Sequence, residues 1–414
     1  MVTAMSEWKF QKLSEAPLDI IDGDRGKNYP SHNEFSNNGH CLFLSTKNVC
    51  VDGFDFSECQ FISKERDGLL RKGKLQRNDL VLTTRGTVGN IAFYSNAVPY
   101  ENIRINSGMV VIRPKADQLY PRFNYYLFRY LKNDFFSFIS GSAQPQLPIK
   151  DLNKMEVNLP PLSEQKTIAG VLSSLDDKID LLHRQNKTLE AMAEMLFRQW
   201  FVEEADEKCE FRKLDEIAFV QNGYAFNSSD YIENINDCLE VLKMGHIEKG
   251  GGLKINPKRD YVPRNDKLSR WILNKGDIVM AMTDMKDNVV ILGVPAMIDK
   301  DDAYVLNQRV ARIFLKSNIK LISQYFLYIQ LKNPGFIADL QSKANSGVQV
   351  NLSTDAIRSS EIIIPPMKTQ VEKGQLIMDS YLKKEKNDIQ IRTLEKLRNT
   401  LLPKLMIGEV RVTV

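Results

Sequence analysis

The chain has 414 residues, 43% of them hydrophobic and 26% charged, the make-up of an ordinary folded protein. A single core rarely grows beyond roughly 250–300 residues, so two or more globular domains are expected. The formal net charge is only +4, so any basic surface must be local.

No apolar run is long enough for a membrane span, and Met1 to Phe10 holds no apolar signal core, so a cytoplasmic location is expected. Taken in chain order, the first half opens on a charged lead, Phe10-Gln11-Lys12-Leu13-Ser14-Glu15. A polar loop from Asp22 to Tyr29 (DGDRGKNY) follows. Cys41, Cys50 and Cys59 contain no C-x-x-C pair, so reduced thiols are expected rather than a zinc site, with His40 beside Cys41 the weak exception. Gly68 to Lys74 has the glycines and lysine of a phosphate loop. Leu75 stands where that chemistry needs a Ser or Thr hydroxyl, so the stretch reads as a charged turn. Leu75 to Leu82 reads as a turn feeding a buried strand, and Thr83 to Asn90 as a loop rich in Thr, Arg and Gly. Ile105-Asn106 opens another apolar run, and Tyr125 to Asn133 (YYLFRYLKN) has helical spacing. Gly141 to Leu147 (GSAQPQL) is an amide-bearing loop, and Val157-Asn158-Leu159-Pro160-Pro161 closes the segment.

These markers recur in the same order about 200 residues later. The counterparts are Phe211 to Glu216, Leu273 to Met280, Leu306-Asn307, Tyr325 to Asn333 (YFLYIQLKN), Ser346 to Leu352 (SGVQVNL) and Ile362 to Pro366. The offset drifts from 198 (Leu75 to Leu273) to 205 (Val157 to Ile362), so loops have been inserted on a shared scaffold. Asn333-Pro334-Gly335-Phe336 reads as a helix end and a turn.

A long helix is expected after each prolyl pair. Ile168, Leu172, Leu175, Ile179, Leu182, Asn186, Leu189, Ala193 and Leu196 alternate steps of four and three, a heptad seam running to about Trp200. Some 38 residues at 1.5 Å each span roughly 57 Å. Ser163 is the expected N-cap, with Glu164 in the first turn. In the second helix, Thr369 to Glu372 has the spacing of a capping box, and the seam is clearest at Ile391, Leu394, Leu397 and Leu401. Such narrow seams must be buried, either by antiparallel pairing of the two helices or on another subunit, and Asn186 would fix the register. Pro403 should stop or kink the second helix, His183 reads as exposed or satisfied, and Glu203 to Glu207 as a linker. Trp8, Phe10, Trp200 and Phe201 are expected to anchor domain to helix by packing.

The chain holds no N/D-P-P-Y/F tetrapeptide, H-E-x-x-H, G-x-S-x-G or dinucleotide fingerprint. What remains are polar loops suited to DNA. Arg can make two bonds to guanine, Asn and Gln can pair with adenine, and Thr can meet phosphate or a thymine methyl. The candidates in the first half are Arg25, Lys27, Asn28, Lys47, Thr83, Thr84, Arg85, Thr87, Arg104, Gln144 and Gln146. Those in the second are Asn222, Tyr224, Lys243, Thr283, Lys286, Asn288, Gln349 and Asn351.

With these residues in view, the chain resembles the specificity (S) subunit of type I restriction-modification systems. The likeness rests on Ile20 to Pro30, Gly141 to Leu147, Leu159 to Gln165 (LPPLSEQ), Leu196 to Val202 (LFRQWFV), Asn222 to Phe226 (NGYAF) and the tail Leu397 to Val412. Thr369 stands where the first half has the acid of the Glu-Gln pair. The resemblance implies an α+β chain in which two similar target-recognition domains are joined by two long antiparallel helices, a coiled-coil spacer, in a pseudo-twofold repeat. The expected segments are 1–161 (first domain), 162–203 (central helix), 204–366 (second domain) and 367–414 (C-terminal helix and tail). Each domain would read one half of an asymmetric site on double-stranded DNA. The helices, through Leu172, Leu175, Ile179, Leu182, Asn186, Leu189, Leu196, Ile391, Leu394 and Leu401, would set the gap and dock two methyltransferase subunits. Those partners would bind S-adenosylmethionine and flip out the adenine, and a restriction/translocase subunit could join them. The chain itself would hold no cofactor and no metal and do no chemistry. A self-contained methyltransferase or restriction enzyme, or a coiled-coil scaffold without a DNA role, are the alternatives.

Overall fold

The computed structural model describes residues 8–412 apart from 52, 140–144, 235–236, 255–256, 286–288, 318, 320–322 and 347–348. Two compact units emerge. The first comprises Met1–Leu181 with Gln390–Val414, and the second Leu182–Ile389. The long helices are Leu162–Arg198 and Gln375–Met406, the second reached through a turn and a short π segment from Met367. Each unit thus owns the beginning of one long helix and the end of the other.

The same sheet is built in each unit. In the first, the strand order is Leu18–Asp22, Met109–Pro114, Leu80–Thr83, Ile91–Phe93; in the second it is Ala218–Asn222, Val310–Leu315, Ile278–Ala281, Pro295–Met297. Both sheets are antiparallel throughout. Beside each lies a smaller sheet with one parallel pair, Cys41–Leu44 with Ile103–Ile105 and Cys238–Leu242 with Tyr304–Leu306. The internal repeat is therefore a repeat of fold.

The central strands read as unbroken apolar runs because both of their faces are covered. Successive side chains of a strand point to opposite faces. Leu80, Leu82, Val110 and Ile112 pack into one cluster with the helix Pro121–Leu131, while Val81 and Val111 pack into another. In the second unit Ile278, Met280, Ala311 and Ile313 face one cluster and Val279, Ala281 and Val310 the other.

The turn entering each central strand is also repeated. Asn78 (φ 76°) and Gly276 (φ 87°) occupy the left-handed region, where glycine and asparagine are least strained. The next residue is a buried aspartate, Asp79 or Asp277, whose carboxylate accepts the N–H of Gln76 or Asn274 at 2.6 and 2.7 Å. Each also pairs with an arginine of the neighbouring strand. Arg113 donates twice to Asp79, at 2.9 and 2.7 Å, and Arg312 lies 2.7 Å from Asp277.

Both long helices start directly after the prolyl pair, so the expected caps are corrected. Ser163 lies inside the first turn of a helix that begins at Leu162. Thr369 lies inside the helical segment that begins at Met367, and Glu372 pairs with Lys368 rather than closing a capping box. The helix roots are instead secured by buried glutamines. The Gln165 side chain donates to the carbonyl of Pro160 at 2.9 Å and that of Gln370 to Pro365 at 2.7 Å. Asn333-Pro334 is more than a helix end: Asn333 caps a further helix, Pro334–Ser342, accepting from Gly335 N–H at 2.8 Å, and Pro334 suits its first turn. Pro403 neither stops the second helix nor ends its seam, since the helix runs on to Met406 and Leu405 and Met406 are buried.

Within each unit the two helices run antiparallel. In the second, Asn186 donates to Asp388 at 2.6 Å and accepts from Asn387 at 2.9 Å, and one turn on Glu190 meets Lys384 at 3.5 Å. In the first, Asp176 pairs with Arg398 at 2.7 Å and Glu164 with Arg411 at 3.0 Å. Residue numbers rise along one helix as they fall along the other. Leu172, Ile179, Leu182, Asn186 and Ile391 are buried, while Leu175, Leu189, Leu196, Leu394 and Leu401 are half-buried. His183 is exposed. Of the aromatic anchors, Phe201 is buried against Phe326 and Trp8 donates its indole N–H to Glu164 at 3.1 Å. Trp200 is half-buried under Lys373. Phe10 is a correction, being 67% exposed and packing against nothing comparable.

Removing one member of a buried ion pair leaves the other charge uncompensated, at about 3–5 kcal/mol. Here the aspartates are buried but Arg113 and Arg312 keep part of their surface in solvent, so Asp79→Ala and Asp277→Ala are each expected to cost less, about 1–3 kcal/mol. Chemical denaturation followed by fluorescence would measure it; a loss below about 1 kcal/mol would show the pair to be incidental.

Candidate nucleic-acid interface

In the first unit the sequence-predicted loops gather at one end of the four-stranded sheet, where Asp22, Leu82 and Val110 lie in register. A glycine forces them together. Gly23 is buried so tightly against the backbone of Asn106 that a Cβ there would collide with its carbonyl oxygen. Gly223 meets Asn307 in the same way in the second unit. These are the glycines of DGDRG and NGYAF. Both loops need a residue without a side chain because two backbones cross there.

Around this crossing Arg25 reaches Asp22 at 3.2 Å and the Ser107 carbonyl at 3.3 Å. The N–H groups of Thr84 and Arg85 both donate to the Gly108 carbonyl, at 2.8 and 3.1 Å. Leu147 N–H donates to the Thr84 carbonyl at 2.9 Å, and Arg85 and Gln146 form an isolated bridge. Thr87 Oγ1 donates to the Thr46 carbonyl at 3.5 Å, bringing the turn that bears Lys47 alongside. Arg25, Lys27, Lys47, Arg85 and Thr87 are exposed, and no carboxylate pairs with Lys27, Lys47 or Arg85 among the described residues. The result is a cationic patch flanked by backbone turns.

Asp24 organises the loop from beneath. It accepts the N–H groups of Arg25 at 2.8 Å and Arg71 at 2.6 Å. Burial pushes its carboxyl upward, but these donors outweigh that and hold it below its ordinary value. Of the Gly68–Lys74 stretch, Gly68 and Leu69 end the helix Lys64–Leu69, a correction to the expected turn, and Asp24 holds the chain that follows through Arg71.

Several candidates turn out to be spent inside the domain. Arg104 is a correction. It is 5% exposed, and its guanidinium is used on Asp67 at 2.5 Å and on the carbonyls of Asp67, Leu70 and Lys72. The same Asp67 meets Lys74 at 2.6 Å and His40 at 3.6 Å, so His40 turns to a carboxylate. Cys41 is fully buried beside this cluster, which pushes its thiol up to about 12 through burial and the Asp67 charge. Thr83 and Thr84 are buried too. Thr83 donates its hydroxyl to the Thr87 carbonyl and accepts from Asn90, and Thr84 donates to Gly108. Asn28 donates to the Leu69 carbonyl at 3.2 Å. Gln144 lies outside the described residues.

The second unit presents a different surface on the same frame. Its loop carries aromatic rings. Tyr224 packs on Phe226 and Trp271, with centroids 4.9 and 5.0 Å away, and Trp271 donates to the Asn222 carbonyl at 3.0 Å. Lys243 sits 4.1 Å over the Tyr231 ring and pairs with Asp260 at 2.7 Å, so its charge is largely answered. Thr283 is buried and donates to Asn351 at 3.0 Å across a ladder that also pairs Met285 with Gln349. Lys286, Asn288 and the side chain of Gln349 lie outside the described residues. Sequence reasoning missed Arg270 and Arg309, which are exposed. Arg309 follows the Leu306-Asn307 marker by two residues, and its carbonyl accepts Met282 N–H at 3.0 Å, as Gly108 accepts Thr84. That position could have been read from the repeat.

Asp284 plays the part of Asp24. Its carboxylate accepts Met285, Val290 and Ile291 N–H groups at 2.8, 2.6 and 2.6 Å. Burial raises it, but the backbone donors win and its pKa is lowered.

With two like-folded units each gathering polar loops at one sheet end, comparison with known proteins is informative. The family model described as type I restriction modification DNA specificity domain matches twice, over residues 5–191 and 206–397. The chain belongs to this DNA-specificity family. It is 26% identical to the type I restriction enzyme MjaIX specificity subunit of Methanocaldococcus jannaschii, covering 81% of this chain and 78% of that one. It is 23% identical to the HindI specificity subunit of Haemophilus influenzae, covering 98% and 100%. A crystal structure of a type I restriction-modification S subunit from M. genitalium aligns over 100% of this chain and 99% of that one, with TM-score 0.56 and 15% identity, a likeness of fold. The specificity chain thus has two recognition units, and each family match covers one repeat.

Arg85→Ala is expected to weaken specific DNA binding by ~1–3 kcal/mol without lowering stability, while Arg104→Ala should destabilise the first unit instead. Gel shifts beside thermal melts would separate the two. A second expectation concerns acid. Because the folded carboxyl of Asp284 is depressed, its stabilisation is full above the ordinary 3.8 and is lost as pH falls below it. Asp284→Ala should therefore lower thermal stability at pH 7, and the difference from the native chain should shrink as the pH is taken well below 3.8, as thermal melts across that range would read.

Proposed function

We propose that this chain is the non-catalytic DNA-reading subunit of a type I restriction-modification complex, each unit reading one half of a split, asymmetric site. The observation that carries this is the pairing of two DNA-specificity matches with two units of one topology whose loops differ in chemistry. The first patch offers Arg25, Lys27, Lys47 and Arg85, suited to phosphates and guanine edges. The second offers Tyr224, Phe226 and Trp271 with Arg270 and Arg309, suited to apolar contact with thymine methyls beside a few charged contacts. Unlike surfaces on like frames imply unlike half-sites.

Chemistry is assigned to partners. Two methyltransferase subunits would bind S-adenosylmethionine and modify adenine in the cytoplasm, and a restriction/translocase subunit would join for cleavage. The long helices are the proposed spacer and part of the docking surface, with Leu181, Met192, Met195, Leu382, Ile389 and Leu397 exposed along them.

Exchanging residues 1–161 for those of another specificity subunit is expected to change one half of the methylated site and leave the other intact. Genome-wide adenine-methylation mapping reads this directly. A change in both halves would refute independent reading, and methylation unaffected by deleting the gene would refute the function.

A further inference from the structure

The turn that follows each short parallel-paired strand is repeated, but the residue that closes it is not. In the first unit the turn Thr46–Asn48 is closed by Asn48, which is 5% exposed. Its carboxamide oxygen accepts the Ser45 N–H at 2.9 Å and the Ser45 hydroxyl at 3.0 Å. Its amide nitrogen donates to the carbonyls of Asp55 and Glu58 at 3.0 and 2.8 Å. Every bond of that carboxamide is made by a group that does not titrate. In the second unit the equivalent turn is Met244–His246, and a histidine, 3% exposed, stands where Asn48 stands. The offset is 198, the same that relates Leu75 to Leu273.

The neutral ring has one arrangement here. Nε2 lies 3.1 Å from the Glu240 carboxylate, which when ionised can only accept, so Nε2 carries the proton. Nδ1 is then bare and accepts the Lys243 N–H at 3.2 Å, as Asn48 accepts that of Ser45. A second proton would sit on Nδ1 and end that acceptance. Nδ1 would turn instead to the Lys243 carbonyl, also 3.2 Å away, which already accepts the His246 N–H at 2.9 Å. The turn would lose the bond that closes it, and the Lys243 N–H would be left without its acceptor.

The charges around the ring come from three elements. Glu240, on the strand Cys238–Leu242, is the carboxylate in direct contact, and Arg259 lies 3.3 Å from it. Asp260 pairs with Lys243 at 2.7 Å. Its carboxyl is held below its ordinary value by Lys243 first, against burial, with Lys258 and the imidazole adding less. Lys254 meets the histidine through its backbone alone, its N–H donating to the His246 carbonyl at 2.8 Å.

The residue that His246 holds leads to the aromatic surface of this unit. The Lys243 ammonium lies 4.1 Å over the Tyr231 ring, Tyr231 packs on Phe226 with centroids 6.3 Å apart, and Phe226 packs on Tyr224 at 4.9 Å. We propose that His246 is a positioning residue for this surface, holding it in its reading arrangement only while Nδ1 is unprotonated, so that one of the two half-sites is read less well in acid. This rests on the DNA-reading assignment above. The first unit has the non-titrating Asn48 at the same place, so its half-site is the internal reference.

The test is selection from a pool of random-sequence duplexes by the full-length chain in its native complex, at about pH 8 and about pH 5, the range over which histidine ordinarily changes charge. Sequencing scores the two half-sites separately. In the native chain the enrichment of one half-site is expected to fall about tenfold in acid while the other holds. His246→Ala should lose that half-site at both pH values. His246→Asn, which installs the cap of the first unit, should recover most of the selection and remove the acid loss. Asn48→His should carry the acid loss to the other half-site. Thermal melts at both pH values check that each variant folds. Equal selection of both half-sites at both pH values by the native chain would overturn the inference, as would an acid loss that persists in His246→Asn. Enrichment of no sequence at either pH would overturn the DNA-reading assignment and this inference with it.

Discussion

Both proposed recognition surfaces depend on one steric constraint, the crossing of two backbones at Gly23 and at Gly223. A strand ends there, turns, and passes so near the following Asn106 or Asn307 that no Cβ fits. The contact draws the strand-end loop, the loop after the central strand and the turn between the short parallel-paired strand and the long antiparallel strand into one patch. The polar loops proposed to read DNA are hung from that point. It also explains why two loops of unlike sequence occupy the same place. The constraint acts on the backbone, so the side chains that follow, Arg25 and Lys27 in one unit and Tyr224 and Phe226 in the other, are free to differ.

Beneath the patches, carboxylates hold the loops by accepting backbone N–H groups, Asp24 in the first unit and Asp284 in the second. Pre-set loops lose less conformational freedom on binding, so more of the contact energy is available for telling one base from another. The buried Asp79–Arg113 and Asp277–Arg312 pairs hold the other end of the central strand. Their arginines come from different registers of the neighbouring strand, which shows that a buried aspartate at the turn, rather than a particular partner position, is the invariant of the scaffold.

The architecture was legible because repetition and heptad spacing are properties of many residues together. The seam alone left open whether the helices pair with each other or with another subunit; Asn186 marked a register position, and the fold supplies its partners, Asn387 and Asp388. Helix starts were less legible. Ser163 and Thr369 have the chemistry of caps, yet the prolyl pairs begin the helices earlier and buried Gln165 and Gln370 secure them. The exposed loop residues that make up the candidate site were read only in part. Arg104 and Arg85 are alike in sequence, and only the fold shows that one is surrounded by carbonyls and Asp67 while the other is exposed. Phe10 was misread for the same reason, since strand alternation assigns it a face but not which face is outward.

The first unit is closed by segments from either side of the second: Trp8 and Arg411 converge on Glu164, and Leu405 and Met406 complete its core. The second is one uninterrupted stretch. During synthesis on a ribosome the second unit therefore has all its parts before the first does. The segment before Leu182 must wait, with part of its core uncovered, for the segment after Ile389.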